Sequence, residues 1–300
     1  MHNFCSFMHN FYSSVSSYLQ RTALVAGLVL ATICAANADE VTCEPAKAAA
    51  KYPGLAGKTV KVGQDGESVP FSMRDPKDFN KLVGLDADLA RATFACVGVP
   101  MDFSIGTWAG LIPATMAGQI DIMWDTLLYT PERAKKMDFV VYMNAATGML
   151  VAKGNPKNIH ALGDICGVTA TTTLGTTQEA MLREANSKCV AAGKTAVNII
   201  TSSDMPSGMR LVQHGRADLV AINKFVGESL VASNPTTIES AFDIVTGAKI
   251  AVGVAKGNPD LIKAIRDGLA AIRANGTQKT IYERYKVDYS LTTEPTVLTD

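Results

Sequence analysis

Residues 58–63 (Lys-Thr-Val-Lys-Val-Gly) alternate apolar and polar side chains with the period of two that marks a half-buried β-strand. Leu85, Leu89, Thr93, Cys96 and Val97 then recur on one face at helical spacing. The pattern continues with a strand at 101–105, a helix carrying Leu111, Ile112, Thr115 and Met116, and a strand at 119–124. Such a series needs crossover connections, which lay successive strands side by side and parallel. A second series follows: strands at 149–152 and 168–170, a helix at 177–186, a strand at 197–200, a helix at 205–214 and a strand at 218–222. The best delimited helix is read as the last. Asn258 stands where a cap belongs, Pro259 fits the first turn, and Asn275-Gly276 can end it. Its stripe of Leu261, Ile262, Ile265, Leu269 and Ile272 is read as packing.

The first 38 residues break this pattern. They hold one charged side chain, Arg21, then an apolar run at 22–33 and the small-residue end Ala36-Asn37-Ala38. The run is shorter than the roughly 20 residues a membrane-spanning helix needs, and the sequence is read as a signal peptide cleaved after Ala38. A lipid anchor at Cys34 is opposed by the bulky Ile33 before it. The expected location is therefore the periplasm.

Composition narrows the function. The chain has 300 residues, Lys+Arg 28 against Asp+Glu 28, 47% hydrophobic and 19% charged residues, which argues against disorder, coiled coil and nucleic-acid binding. Loss of Arg21 with the signal leaves one base fewer than the 28 acids, a net charge near −1. At about 150 residues per domain, two domains are expected. Four cysteines follow the signal, Cys43, Cys96, Cys166 and Cys189, and an oxidising compartment favours two disulfides. Of the three pairings, Cys43 with Cys96 and Cys166 with Cys189 keeps each bridge in one half of the chain; sequence leaves the choice open. No spacing of Cys or His suggests zinc, and no motif calls for a cofactor.

Seven segments in order now carry a resemblance: Val69-Pro70-Phe71; Val83-Gly84-Leu85-Asp86-Ala87-Asp88-Leu89; Trp108-Ala109-Gly110-Leu111-Ile112-Pro113-Ala114 with Gly118-Gln119-Ile120-Asp121; Thr130-Pro131-Glu132-Arg133 with Asp138-Phe139; Leu174-Gly175-Thr176-Thr177-Gln178; Gly215-Arg216-Ala217-Asp218; and Asn275-Gly276-Thr277. Over roughly residues 58–288 the chain resembles the polar amino-acid solute-binding proteins of bacterial ABC importers. The resemblance implies an α/β, two-lobed periplasmic-binding-protein fold of type II, each lobe a mostly parallel sheet flanked by helices. It places the signal at 1–38, lobe one at 39–146, lobe two at 147–248 and a return to lobe one at 249–300. Two hinge crossings are expected near 145–148 and 248–251, with Gly148 and Gly247 as the flexible residues.

The resemblance also implies the site. Arg133 matches the family's carboxylate-binding arginine, and its planar guanidinium suits a bidentate grip. Thr176 and Thr177 open a helix after a strand, where free amides and the helix dipole favour an anion. Trp108 and Phe71 match ring positions against the ligand side chain. Three positions depart from the pattern. Asn223 stands where many relatives carry the aspartate that pairs with the ligand ammonium, Leu128 replaces a small hydroxyl residue, and Trp124-Asp125-Thr126 replaces small or hydroxyl residues. The expectation is that Asp125 takes the ammonium or another ligand cation, the other reading being a ligand without an α-amino group; Asp125, Thr126 and Asn223 set polar selectivity, and Trp124 is available to cover a cation.

The expected partners are a small carboxylate or amino-acid ligand and the membrane permease of an ABC importer; the chain is expected to act as a monomer and to catalyse nothing. The alternative is a periplasmic cyclohexadienyl or arogenate dehydratase on the same fold, with Asp125 or Glu132 as general acid or base. His160 and His214, in a loop and at a helix end, are read as surface residues.

Overall fold

The computed structural model describes residues 42–245 and 247–299; the signal peptide and cleavage site expected from the sequence lie outside them. In chain order the strands of the first part are β1 (Val60–Gln64), β2 (Glu67–Ser68), β3 (Ser72–Arg74), β4 (Leu82–Val83), β5 (Met101–Ile105), β6 (Ile122–Met123) and β7 (Met137–Asn144). Its helices are α1 (Ala48–Lys51), α2 (Leu85–Val97), α3 (Trp108–Met116) and the single turn α4 (Pro131–Ala134). The middle part holds β8 (Thr147–Ala152), β9 (Thr169–Thr173), α5 (Thr177–Ala191), β10 (Asn198–Ser202), α6 (Met205–Gln213), β11 (Leu219–Asn223), α7 (Lys224–Ser233) and β12 (Ile238–Ile244). The chain returns through β13 (Lys249–Ala255), α8 (Pro259–Ala274), α9 (Thr277–Arg284) and β14 (Thr292–Leu298).

Two sheets carry the two lobes. A 6-stranded sheet runs β14-β7-β13-β6-β1-β5, and a 5-stranded sheet runs β10-β9-β11-β8-β12; a small third sheet joins β2, β3 and β4. Each is mixed, which refines the expectation of mostly parallel sheets. The strands joined through helices pair in parallel, β1 with β5 and β6, and β9 with β10 and β11. The crossing strands β7, β8, β12 and β13 run back against their neighbours, and they pair antiparallel.

The predicted helix faces bury as expected. In α2, Leu85, Leu89 and Phe94 are fully enclosed, and Gly98 ends the helix in the left-handed conformation at φ 71°. In α8, Leu261, Ile265, Leu269 and Ile272 turn inward, and α8 lies so close to α2 that a Cβ at Gly268 would sit 2.7 Å from Thr93 Cγ2. Asn258 does not cap α8 with its side chain; its Nδ2 donates back to Ala255 O at 3.0 Å, because its backbone (φ −116°, ψ 63°) turns the amide away from the helix. Nor is α8 the last helix, since α9 begins after Gly276.

Cys43 bonds Cys96 and Cys166 bonds Cys189. The chain passes from the first sheet to the second between Asn144 and Thr147 and returns between Ile244 and Lys249. The two passages lie side by side, the Ala145 amide donating to Ala248 O at 2.8 Å. Gly247 sits in the second with φ 71°, whereas Gly148 lies inside β8, paired with Ile222 and Asp243.

Gly84 makes a tight turn between β4 and α2. Its φ is 127°, and a Cβ there would stand 2.3 Å from Phe71 O. Replacing Gly84 with Ala should lower unfolding free energy by about 3 kcal/mol, while Gly57→Ala, at φ 71° with nothing within 4 Å, should cost about 1 kcal/mol. Urea unfolding of both variants checks the ordering.

Candidate functional site

In open α/β sheets, ligands bind outside the carboxyl ends of the strands, where loops leave free backbone groups. Here β1 ends in Gln64 and Asp65, and β6 leads into Trp124, Asp125 and Thr126. From the other lobe, β9 leads to Thr173 and the start of α5, and β11 ends in Ile222 and Asn223. These ends converge on a cavity of about 50 Å³ whose walls include Asp65, Ser68, Trp108 and Thr126 from one lobe and Thr176, Gln178, Met205 and Asn223 from the other. A larger hollow of about 380 Å³ lies beside the Cys166–Cys189 bridge, lined by Leu162, Met181, Ala185 and Ile244. Of the strand ends it takes only that of β12, and its lining is mostly apolar, so the smaller interlobe cavity is the candidate site.

Arg133 and Thr177 are not among the residues lining this cavity; Arg133 stands next to two that are, Leu128 and Trp108. Thr130 caps its single-turn helix by accepting the Arg133 amide at 3.1 Å. The guanidinium donates to Leu128 O at 2.6 Å and, across the lobes, to Gly175 O at 2.7 Å, and it stands 5.9 Å from the centre of the Trp108 ring. Burial pulls its pKa down to about 10. Among the described residues no carboxylate forms an ion pair with it. Its acceptors are neutral carbonyls, which leave the charge unneutralised.

The second lobe offers mainly neutral groups. Asn223 caps α7, its Oδ1 accepting the amides of Phe225 at 2.9 Å and Val226 at 3.4 Å. Those two donors fix the orientation of the amide and leave Nδ2, which is buried and has no partner among the described residues. Asn223 therefore presents a donor to the cavity, the wrong polarity for an ammonium. Thr176 caps α5 and also donates to Thr173 O at 2.7 Å, and Thr177 Oγ1 reaches Gln178 Oε1 at 3.3 Å. The Gly175 amide is taken by Glu179 Oε2 at 2.7 Å, so the helix start is already partly satisfied from within.

Three aspartates cluster at the first lobe's wall, Asp65 in it and Asp125 and Asp86 behind it. Asp65 faces the cavity, and its carboxylate accepts from the Glu67 amide and Ser68 Oγ, each at 2.8 Å, and from the Ser68 amide at 3.2 Å. Asp125 is 0% exposed and does not line the cavity; its Oδ2 accepts the Asp65 amide at 2.8 Å. Asp86 lies deeper, accepting from Tyr142 OH at 2.6 Å and the Thr126 amide at 2.8 Å. Burial raises all three pKa values, that of Asp86 to about 7, and the charges of Asp65 and Asp86 push Asp125 further up. The Asp86 bond holds Thr126 at φ 48°, a left-handed conformation rare for a β-branched residue.

The other expected residues separate. Trp108 is 8% exposed, lines the cavity and donates through Nε1 to Asp125 O at 3.1 Å. Phe71 is fully buried and meets Phe225 of α7 at 6.5 Å, behind the cavity wall. Trp124 is enclosed in the core against Tyr142 at 5.8 Å. Glu132 projects into solvent beside Lys135, and His160 and His214 are exposed. Sequence reasoning missed Asp65, whose only signal was its place at the carboxyl end of a central strand.

Two α/β lobes with a polar cavity between their strand ends define a bilobed binding protein. The model for bacterial extracellular solute-binding proteins, family 3, matches residues 60–288, and the chain belongs to that family. It is 26% identical over 270 residues to the L-cystine-binding protein TcyJ of Escherichia coli (strain K12), covering 90% of this chain and 96% of that protein. Its fold is similar to an ancestral arginine-binding protein bound to arginine, with a TM-score of 0.69 and 30% identity over 76% of this chain and 97% of that one. The ancestral amino acid-binding protein AncCDT-1, a precursor of cyclohexadienyl dehydratase, is similar at a TM-score of 0.65 and 30% identity, over 76% of this chain and 95% of that one.

A carboxyl whose folded pKa is raised contributes stability that is full below its unfolded value and lost as pH rises toward the folded one. For Asp86 that window runs from about 4 to about 7. The unfolding free energy of the wild type relative to D86N should therefore decline across this window and level off above it. A difference independent of pH would mean that Asp86 ionises normally.

Proposed function

We propose that this chain is an exported binding protein that captures an amino acid between its lobes and delivers it to an ABC importer, without transforming it. The observation that carries this reading is Arg133, half-buried, stripped of part of its hydration and given no carboxylate by the described residues. A ligand carboxylate supplies the missing charge through two charge-assisted hydrogen bonds. Thr177 and Thr176 meet the same group from the second lobe, and the Trp108 ring packs against the ligand side chain. Thr126 adds polar contacts.

The ammonium falls to Asp65 rather than to Asp125. Asp65 faces the cavity and Asp125 does not, while the free Asn223 Nδ2 suits a second acceptor on the ligand. Phe71 supports the wall through Phe225. The relatives' names point to cystine and arginine as the first ligands to try; both carry a carboxylate and more than one amine or guanidine nitrogen. The cavity of about 50 Å³ is far below the roughly 300–1,000 Å³ of ligand pockets, so admission requires the lobes to part about the passages at Ala145 and Gly247.

The two acids that the sequence offered as general acid or base do not line the cavity, and Asp65, which does, is here assigned to the ligand's cationic group. Asp125 has no access to the cavity and Glu132 lies in solvent, so neither named candidate can exchange a proton with a bound molecule. Prephenate incubated with the protein should yield no phenylpyruvate. The chain acts as a monomer, presenting both lobes to the permease.

In calorimetry, R133A should weaken binding of the amino acid that stabilises the wild type most in a thermal-shift screen. The loss should be at least about a hundredfold, since a charge-assisted pair is lost and the ligand carboxylate is left buried without it. Unchanged affinity would overturn the reading.

A further inference from the structure

We propose that Asp125 is held as a neutral carboxylic acid that donates its proton to Asp65, so that the pair presents one fixed negative charge to the cleft. Asp125 is on this view a positioning residue for Asp65. The inference deepens the proposed function, because it rests on Asp65 as the receiver of the ligand's cationic group.

The bonding leaves Asp125 little alternative. Its Oδ2 accepts the Asp65 amide, while Oδ1 is buried and has no donor among the described residues. An ionised carboxylate with one bare oxygen in an enclosed site is strongly disfavoured. A proton removes that cost and turns the group into a donor. The acceptor we assign to it is the Asp65 carboxyl, because the backbone amide of the same residue already lies 2.8 Å from Asp125 Oδ2.

The neighbours favour the same distribution of charge. The ionisable groups facing Asp125 are Asp65 from the end of β1, Asp86 from α2 and the phenol of Tyr142 from β7; none is a cation. Glu67 of β2 adds a further acid beside Asp65, and Tyr282 of α9 faces Asp86. Asp65, by contrast, accepts two amides and a hydroxyl, which stabilise its ionised form. The negative charge belongs on Asp65 and the proton on Asp125.

The arrangement also sets geometry. Asp125 takes the Asp65 amide on its carboxyl and the Trp108 Nε1–H on its backbone carbonyl. One residue thus ties together the two walls that a ligand's charge and side chain would meet, and the proton it donates fixes which way the Asp65 carboxylate points.

The test compares wild type, D125N, D125A and D65N as full mature chains, with L-arginine and L-cystine as probes, in calorimetry from pH 4 to pH 8. Asn can both accept the Asp65 amide and donate to its carboxylate, so D125N should stay within about threefold of wild type while D125A loses at least about tenfold. The acid limb of the binding profile, where Asp65 takes up a proton and releases the cation, should move to higher pH in D125A and stay in place in D125N. Equal losses in D125N and D125A would overturn the proposal, since they would show that an ionised Asp125 is required. A readout free of ligand accompanies these: the infrared difference spectrum of wild type against D125N at pH 7 should contain a protonated-carboxyl stretch. A carboxylate band in its place would overturn the proposal even if neither probe binds. D65N with unchanged affinity for both probes would instead sink the role of Asp65 in binding, and the infrared band would still decide the state of Asp125.

Discussion

The wall of the first lobe hangs on the buried carboxyl of Asp86. One oxygen takes the Tyr142 hydroxyl from β7 and the other takes the Thr126 amide from the segment after β6, so a helix residue pins a strand and a loop at once. That second bond holds Thr126 in a backbone conformation it would not choose alone. With Thr126 fixed, Asp125 is turned inward to the Asp65 amide and Leu128 presents its carbonyl to Arg133. Removing the acid would free Thr126 from its left-handed conformation, whereas Leu128 keeps its place through the pairing of Leu127 and Tyr129 with β13.

The two lobes divide the chemistry unequally. The first contributes the charges, Arg133 and the aspartates, on backbone set by the six-stranded sheet. The second contributes caps and amides at the starts of α5 and α7, groups that are fully polar yet carry no net charge. A ligand bound first to the charged lobe would therefore be oriented before the second lobe reaches it, and the second lobe would test its shape and its hydrogen-bonding pattern. Asn223 illustrates the division: as a helix cap its oxygen is committed, and only its donor nitrogen remains.

Much of the fold was legible because burial in sheets and helices leaves a period. Strand 101–105 and the start of α5 at Thr177 were read as they stand. The strand expected at 119–124 shrinks to Ile122–Met123, because Gln119 is still bonded back to Ala114 at the end of α3. The helix expected to stop at 186 runs to Ala191, since its polar later turns are held by Cys189 and its bridge to Cys166. In the candidate site, residue type pointed to Trp108, which lines the cavity, and to Arg133, which stands beside it, but the direction in which a strand-end carboxyl points has no sequence signature. Asp65 and Asp125 both follow central strands; only the packing decides that the former faces the cavity and the latter lies behind it.

The bond from Arg133 to Gly175 O spans the lobes with a charged donor and a neutral acceptor. It sets a threshold for occupancy, because any molecule entering there must offer the guanidinium more than a peptide carbonyl already does. An ester or an amide merely exchanges one neutral oxygen for another and gains nothing from the trade. On the proposed function only an anionic end group improves on the backbone, and the protein's own carbonyl would then be a resident competitor that filters solutes by charge before their side chains are read.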